Sequence, residues 1–398
     1  MLGTARYNSK AQARFSVACA AIVLTLLAAC LPWKAAQAQE FETIADYAIV
    51  MDSRSGKVLF EKNADELVPP ASMSKVMTMI MVFERLKQGR LKLTDEFTIT
   101  EDAWRRGGAP SRSSTMYAEV GSKVSLENLI KGVVVHSGND AAIAIAQAIG
   151  GTEDGFADDM TRRARELGLP KSTFKNATGL PAEGHLTTMR ELASLTRYII
   201  EVFPDYYKYY GIREFTWNNI TQQNRNPLLG KYRGADGVKT GYIRDSGYGM
   251  IGSAEREGRR LIVVVGGMKS RRERAQEAER LLDFGFRKFR AVRLFSAGDT
   301  VGQARVWGGE EPSVKLVTKK DILTLLSEEE QATAEVQLVY SGPLKAPIKG
   351  GTAIGVVRIL SDGKLVYKAP VHTKNSVPAT DSMWKKALDS ALFMALGG

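Results

Sequence analysis

Three short strings constrain the fold of this chain more than any bulk property: Ser72-Met-Ser-Lys75, Ser137-Gly-Asn139 and Lys239-Thr-Gly241. Each stands at the edge of a regular element. Pro69-Pro70 lead into Ser72, and residues 73–83 are apolar enough for a buried helix. A serine in the first turn of that helix sits at the positive end of the backbone dipole, and Lys75, three residues on, shares its face. Ser137 follows the apolar run 129–135 and opens an alanine-rich helix over 140–149. Lys239 precedes a strand pair over 247–254 and 261–265, joined by the polar, glycine-containing segment 255–258. Residues at such junctions project into a cleft while the elements hold them still. Chemically they provide a serine nucleophile, an amine to deprotonate it, a hydroxyl to relay the proton and a cation for an anionic substrate.

No single string is diagnostic. Ser-x-x-Lys recurs at Ser172-Lys175, Ser361-Lys364 and Ser382-Lys385. Taken alone, Ser72 and Asn139 read as helix caps and Lys239 as an ordinary strand lysine. The order of the three and their flanking sequences set them apart.

With those flanks, Pro-Pro-Ala-Ser-Met-Ser-Lys, Asp102-Ala-Trp104, Val135-His-Ser-Gly-Asn-Asp-Ala-Ala142 and Ala235-Asp-Gly-Val-Lys-Thr-Gly-Tyr242, the chain resembles the low-molecular-mass penicillin-binding proteins that act as serine-type D-alanyl-D-alanine carboxypeptidases. The resemblance covers nearly the whole chain. It implies a serine β-lactamase/DD-peptidase-like domain, an antiparallel sheet with helices on both faces, and removal of the terminal D-alanine from peptidoglycan stem pentapeptides through a Ser72 acyl-enzyme that β-lactams trap. It makes Lys75 the base and Ser137 the proton carrier. Asn139 positions Lys75 and the substrate amide, and Lys239, Thr240 and Gly241 line the substrate. The backbone N–H groups of Ser72 and Tyr242 form the oxyanion hole. An arginine meeting the substrate carboxylate aligns with Arg274, with Arg271 and Arg272 close alternatives.

Alternatives share the chemistry or deny it. A β-lactamase uses the same acylation but needs a deacylating glutamate in a Glu-x-x-Leu-Asn string; Glu166-Leu-Gly-Leu-Pro lacks the asparagine. A DD-endopeptidase would cut cross-links with the same residues. A non-catalytic wall-binding scaffold would need none of them. No cofactor or metal is implied: the histidines His136, His185 and His372 fall in no ligand spacing, and His136 reads as a packing residue.

At 398 residues the chain is comfortable for two domains. Residues 1–38 read as an export signal: Arg6, Lys10 and Arg14, then an apolar stretch, then Ala36-Gln-Ala38. Lipoprotein processing at Cys30 is the competing reading. The leader carries four of the positive charges and no negative ones, so the mature chain stands at +7 rather than +11. Both cysteines, Cys19 and Cys30, fall inside it, so the mature protein has no thiol chemistry. Residues 39–290 alternate strand and helix patterns, with a hairpin over 48–62 and helices over 73–87, 140–149, 154–167, 189–202 and 271–289. Residues 291–378 switch to short strands divided by Gly and Pro, a small all-β domain.

Residues 379–398 wind into an amphipathic helix with Trp384, Leu388 and Leu392 on one face and Lys385, Lys386 and Asp389 elsewhere. It is too short to span a bilayer and suits a membrane surface. Docking on the β-domain is the alternative. The positive charge is moderate and dispersed, which fits an anionic envelope rather than nucleic acid. The expected location is the periplasm, at the outer face of the cytoplasmic membrane.

Overall fold

The computed structural model describes residues 41–396; the expected export signal and the Cys30 and Ala38 processing sites lie outside the described residues. A five-stranded antiparallel sheet organises the first domain, in the order Val58–Lys62, Tyr47–Asp52, Arg259–Met268, Gly247–Arg256, Ala235–Ile243. The first and last parts of the region thus meet in one sheet, with Val50 opposite Val263 and Ile251 opposite Val264.

Strand periodicity assigns the two faces. Ile49, Met51, Ile251, Ile262 and Val264 point into a large core with the helices Lys75–Lys87, Leu126–Val135, Asn139–Gly150 and Met189–Val202. Ala48, Val50, Val263 and Val265 point the other way, onto Leu281, Leu282 and Phe286 of the helix Arg271–Lys288. Helices therefore cover both faces, as the resemblance implies. The helix Lys75–Lys87 is buried along almost its full length, which explains why its sequence is apolar on every side.

The boundaries of Met189–Val202 match the sequence reading, and the hairpin over 47–62 forms as an antiparallel pair. The start of the nucleophile helix differs. Ser72 lies in a 3₁₀ turn, Ala71–Ser74, and the α-helix begins only at Lys75. Three residues per turn eclipse positions i and i+3, so the tighter winding sets Lys75 directly beside Ser72. The run 129–135 is the second half of a helix, Leu126–Val135, capped by Ser125 accepting from the Asn128 N–H.

Helix Arg271–Lys288 runs straight into the strand Phe289–Phe295, which pairs with Ile322–Ser327. Beyond it, six strands form a second sheet in the order Ala334–Tyr340, Ala353–Ser361, Lys364–Thr373, Ser313–Val317, Thr300–Trp307, Leu344–Lys345. Its core is Ala304, Val306, Leu316, Val357, Ile359 and Val371. Lys57 ties the two regions together: its buried ammonium donates to Leu325 O at 2.7 Å and pairs with Glu330 at 2.6 Å.

The last helix, Met383–Leu396, touches the β-sheet through its polar side. Gly308 N–H donates to Asp389 Oδ2 at 2.8 Å, Trp307 Nε1–H donates to Ser390 Oγ at 3.1 Å, and Lys385 reaches Glu310 O. Trp384, 87% exposed, Leu388, Leu392 and Met394 face outward. Among the described residues no helix is long and apolar enough to cross a membrane.

Candidate active site

The site is built where the 3₁₀ turn, the junction between two helices and the edge strand converge. Lys75, buried to 1% exposure, is the hub. Its Nζ lies 2.9 Å from Ser72 Oγ, 2.7 Å from Asn139 Oδ1 and 2.5 Å from Thr178 O. The last two are carbonyl oxygens, which only accept. A neutral amine has two N–H bonds and one lone pair. With both N–H bonds spent on Asn139 and Thr178, the lone pair is left facing the Ser72 hydroxyl. The geometry thus orients the base at the nucleophile.

Electrostatics makes the neutral amine accessible. Burial, first, and then the Arg225 cation lower the Lys75 pKa to about 7, while Asp140 and Glu153 oppose the shift. Arg225 is an exposed residue whose Nε–H donates to His136 O at 2.8 Å; Lys239, in the same site, and Lys75 disfavour each other's charge. Lys239 is itself held well below its ordinary range by burial and then by Lys75.

The second lysine–serine pair is Lys239 Nζ with Ser137 Oγ at 2.8 Å, and Lys239 also donates to Thr240 O at 3.1 Å. Ser137 has φ of +61°, a left-handed conformation that costs a non-glycine residue on the order of 1–3 kcal/mol and is typical of functional positions. The turn it makes lets the helix Leu126–Val135 end and Asn139–Gly150 begin within three residues, so Ser137 and Asn139 both face the cleft. Asn139 is locked: its Nδ2 donates to Ser113 Oγ at 2.9 Å and its backbone N–H to Ser114 O at 2.8 Å. Asp140, fully buried, collects Thr115 Oγ1 and the N–H groups of Met116 and Ala118, and so pins the same loop.

The motif strand lies against the nucleophile turn. A Cβ on Gly241 would stand 3.0 Å from Pro70 O and 3.1 Å from Ala71 Cβ. Glycine at this position serves the packing of strand on turn. The strand Ala235–Ile243 thus packs directly on the turn Ala71–Ser74 that carries Ser72. The Tyr242 ring is 53% exposed and stacks on Tyr248 at 4.2 Å. Arg274 lies over the other aromatic neighbour, 5.8 Å from the Tyr248 centroid. It is buried, its Nε finds no hydrogen-bond partner among the described residues, and burial lowers its pKa to about 10. Arg271 and Arg272 are exposed on the same helix.

Sequence reasoning missed Thr178, Ser113 and Arg225. Thr178 belongs to Asn176-Ala-Thr-Gly179, where Asn176 Oδ1 accepts from Thr178 N, Thr178 Oγ1 and Gly179 N. Asn-x-x-Gly is a turn signal that was there to be read. Arg225 carries no such signal. His136 packs on Phe215, its Nε2 2.9 Å from Phe215 O. Glu166, at a helix end, pairs with Arg163 on the surface. Among the described residues no group of three potential ligands could hold a metal.

Comparison with known proteins gives the same answer from a different direction. Residues 34–270 match the family model described as D-alanyl-D-alanine carboxypeptidase, and 289–379 match that of the penicillin-binding protein 5 C-terminal domain. D-alanyl-D-alanine carboxypeptidase DacC of Escherichia coli is 38% identical over 332 residues, 83% of each chain. DacF of Bacillus subtilis is 32% identical, covering 84% of this chain and 86% of the relative. Penicillin-binding protein 5 of Haemophilus influenzae superposes with a TM-score of 0.78 at 34% identity, over 85% of this chain and 98% of its own.

Proposed function

This chain belongs to the D-alanyl-D-alanine carboxypeptidase family, and from that premise we propose how its residues carry out the reaction. It is a serine-type D-alanyl-D-alanine carboxypeptidase and a penicillin-binding protein. Neutral Lys75 takes the proton of Ser72 Oγ, which attacks the carbonyl of the penultimate D-alanine of a peptidoglycan stem peptide. The N–H groups of Ser72 and Tyr242 receive the developing oxyanion. Ser137 passes the proton gathered by Lys75 on to the leaving amine, the C–N bond breaks and D-alanine departs. Water, deprotonated by Lys75, then releases the shortened peptide. Arg274, Lys239 and Thr240 hold the terminal carboxylate; of the three arginines in the segment, only Arg274 is buried with a free guanidinium N–H. A β-lactam acylates Ser72 by the same attack, but its leaving group stays tethered.

The observation that carries this reading is the double lysine–serine arrangement, Lys75 on Ser72 and Lys239 on Ser137, in one buried site. Among the described residues, Glu166 is on the surface, and Glu153 and Asp140, the carboxylates that act on Lys75, have their oxygens engaged, so neither is free to activate a deacylating water as a β-lactamase requires. The test is release of free D-alanine from a stem pentapeptide, with and without penicillin pretreatment and with Ser72→Ala. Release abolished by both supports the reading. Penicillin turnover without D-alanine release would make the chain a β-lactamase. Neither activity and no covalent adduct would leave a scaffold.

We propose that the protein works in the periplasm, seated on the outer face of the cytoplasmic membrane by its last helix. That reading rests on how the helix docks: its polar side is used on the β-domain, and Trp384, Leu388, Leu392 and Met394 are left facing out. Tryptophan and leucine so exposed, with lysines alongside, match an interfacial helix. Residues 39–290 form the catalytic unit and 291–378 a stalk beneath it.

A further inference from the structure

Glu153 is a carboxylate that the mechanism above does not use, yet it is only 6% exposed and its charge acts on the catalytic lysine. It opens the helix Glu153–Glu166, next to the Thr152 cap. Its Oε1 accepts the Ala177 N–H at 3.0 Å, and its Oε2 accepts from Arg106 at 2.7 Å. Ala177 is joined by one peptide unit to Thr178, whose carbonyl receives Lys75 Nζ. Arg106 is exposed and also pairs with Asp102 at 3.1 Å. The Glu153–Arg106 end of this chain opens on a surface groove lined by Asp102, Arg106, Gln147, Thr152 and Glu153.

We propose that Glu153 is a positioning residue for acylation: it fixes the Ala177–Thr178 backbone, and with it one of the two acceptors that turn the Lys75 lone pair towards Ser72, while Arg106 is its solvent-side partner. The proposal rests on the carboxypeptidase reading. Two consequences separate it from simple packing. The carboxylate is a charge as well as a clamp, and it favours protonated Lys75. The other charged groups that act on Lys75 are Arg225, which opposes protonation, and Asp140, which favours it; Lys239 and His185 feel its charge in turn. Since Lys75 must be neutral to act, these groups set the acid limb of the rate profile.

The experiment is the second-order rate of acylation of the full chain by a labelled penicillin from pH 5 to pH 9, with D-alanine release measured alongside. Glu153→Gln keeps an acceptor for the Ala177 N–H and removes the charge. Its acid limb should move down by roughly half a pH unit, about threefold faster acylation on the limb, with the plateau little changed. Arg106→Gln leaves Glu153 uncompensated, so the limb should move up, and by less because Arg106 is exposed. Glu153→Ala also loses the clamp and should lower the plateau about tenfold or more. Opposite limb shifts in the two glutamine variants support the proposal. Limbs that stay put, or move together, overturn it, as does a Glu153→Ala plateau equal to wild type. Should Glu153→Gln fail to fold, Arg106→Gln decides: no upward shift overturns the proposal. Wild-type protein that neither acylates nor releases D-alanine refutes the carboxypeptidase reading instead.

Discussion

Lys239 Nζ stands 2.8 Å from Ser137 Oγ, and both residues are almost fully buried. A buried lysine among other cations is costly, and such a group is characteristic of sites that bind anions or transfer protons. Lys239→Ala should cut both acylation and D-alanine release by about 10²-fold or more, the usual scale for losing a positioned acid–base or charge-stabilising group. Lys239→Arg should not restore them, because a planar guanidinium neither fits the ammonium's place nor gives up a proton. Acylation rates with labelled penicillin measure both. An arginine variant with near wild-type rates would show that only the positive charge matters.

The pH profile follows from Lys75. With its pKa lowered to about 7 by burial and by Arg225, the base is protonated and idle below that value and free above it. Acylation should therefore rise with pH through about 7 and level off. Arg225→Ala removes a cation, which eases protonation of Lys75 and moves the limb upward; at pH 6.5 the variant should be roughly threefold slower. A limb that moves down in Arg225→Ala would contradict the assignment of Lys75 as the titrating base.

Gly168 and Gly179 have the same φ, +78°, but different surroundings. A Cβ on Gly168 meets open space, so Gly168→Ala should cost only the left-handed backbone, about 1–2 kcal/mol. A Cβ on Gly179 would fall 1.9 Å from Ala71 O and 2.6 Å from Ser74 Oγ, inside the turn that carries Ser72. Gly179→Ala should displace that turn and lose about 10²-fold or more of the acylation rate, beyond its effect on stability. Thermal unfolding and acylation of the two variants separate the effects. Equal acylation in both would mean the turn tolerates the displacement.

The last helix can be tested apart from catalysis. Trp384→Ser with Leu388→Ser removes two exposed apolar side chains, each worth roughly 1.5–3 kcal/mol when buried in an interface. Binding to vesicles containing anionic lipid should fall at least about a hundredfold, while D-alanine release from a small soluble peptide stays unchanged. Unchanged sedimentation with vesicles would show that the helix is not the anchor.

How much of this was legible beforehand follows a physical division. Ser72, Lys75, Ser137, Asn139 and Lys239, which the fold brings together, were readable as candidates because each sits beside a strong local signal: prolines before a buried helix, an apolar run that stops, a strand that begins. The alternation of Val263 and Val264 between two cores, and the all-round burial of the helix Lys75–Lys87, were likewise encoded in residue order. Thr178 acts through its backbone carbonyl, which every residue possesses, so its identity carried little news. Arg225 affects Lys75 across space from a loop 150 positions away in the chain.

The sequence by itself determined the reaction class, the order of the elements and the residues with reactive side chains, because those depend on local chemistry and periodicity. Only the tertiary structure decided that Arg225 reaches Lys75, that Gly241 and Gly179 make room for the nucleophile turn, that Arg274 is the buried arginine of its segment, and which face of the last helix is left free. Those depend on distance and burial, and residues far apart in sequence acquire both only when the sheet brings the two ends of the catalytic region together.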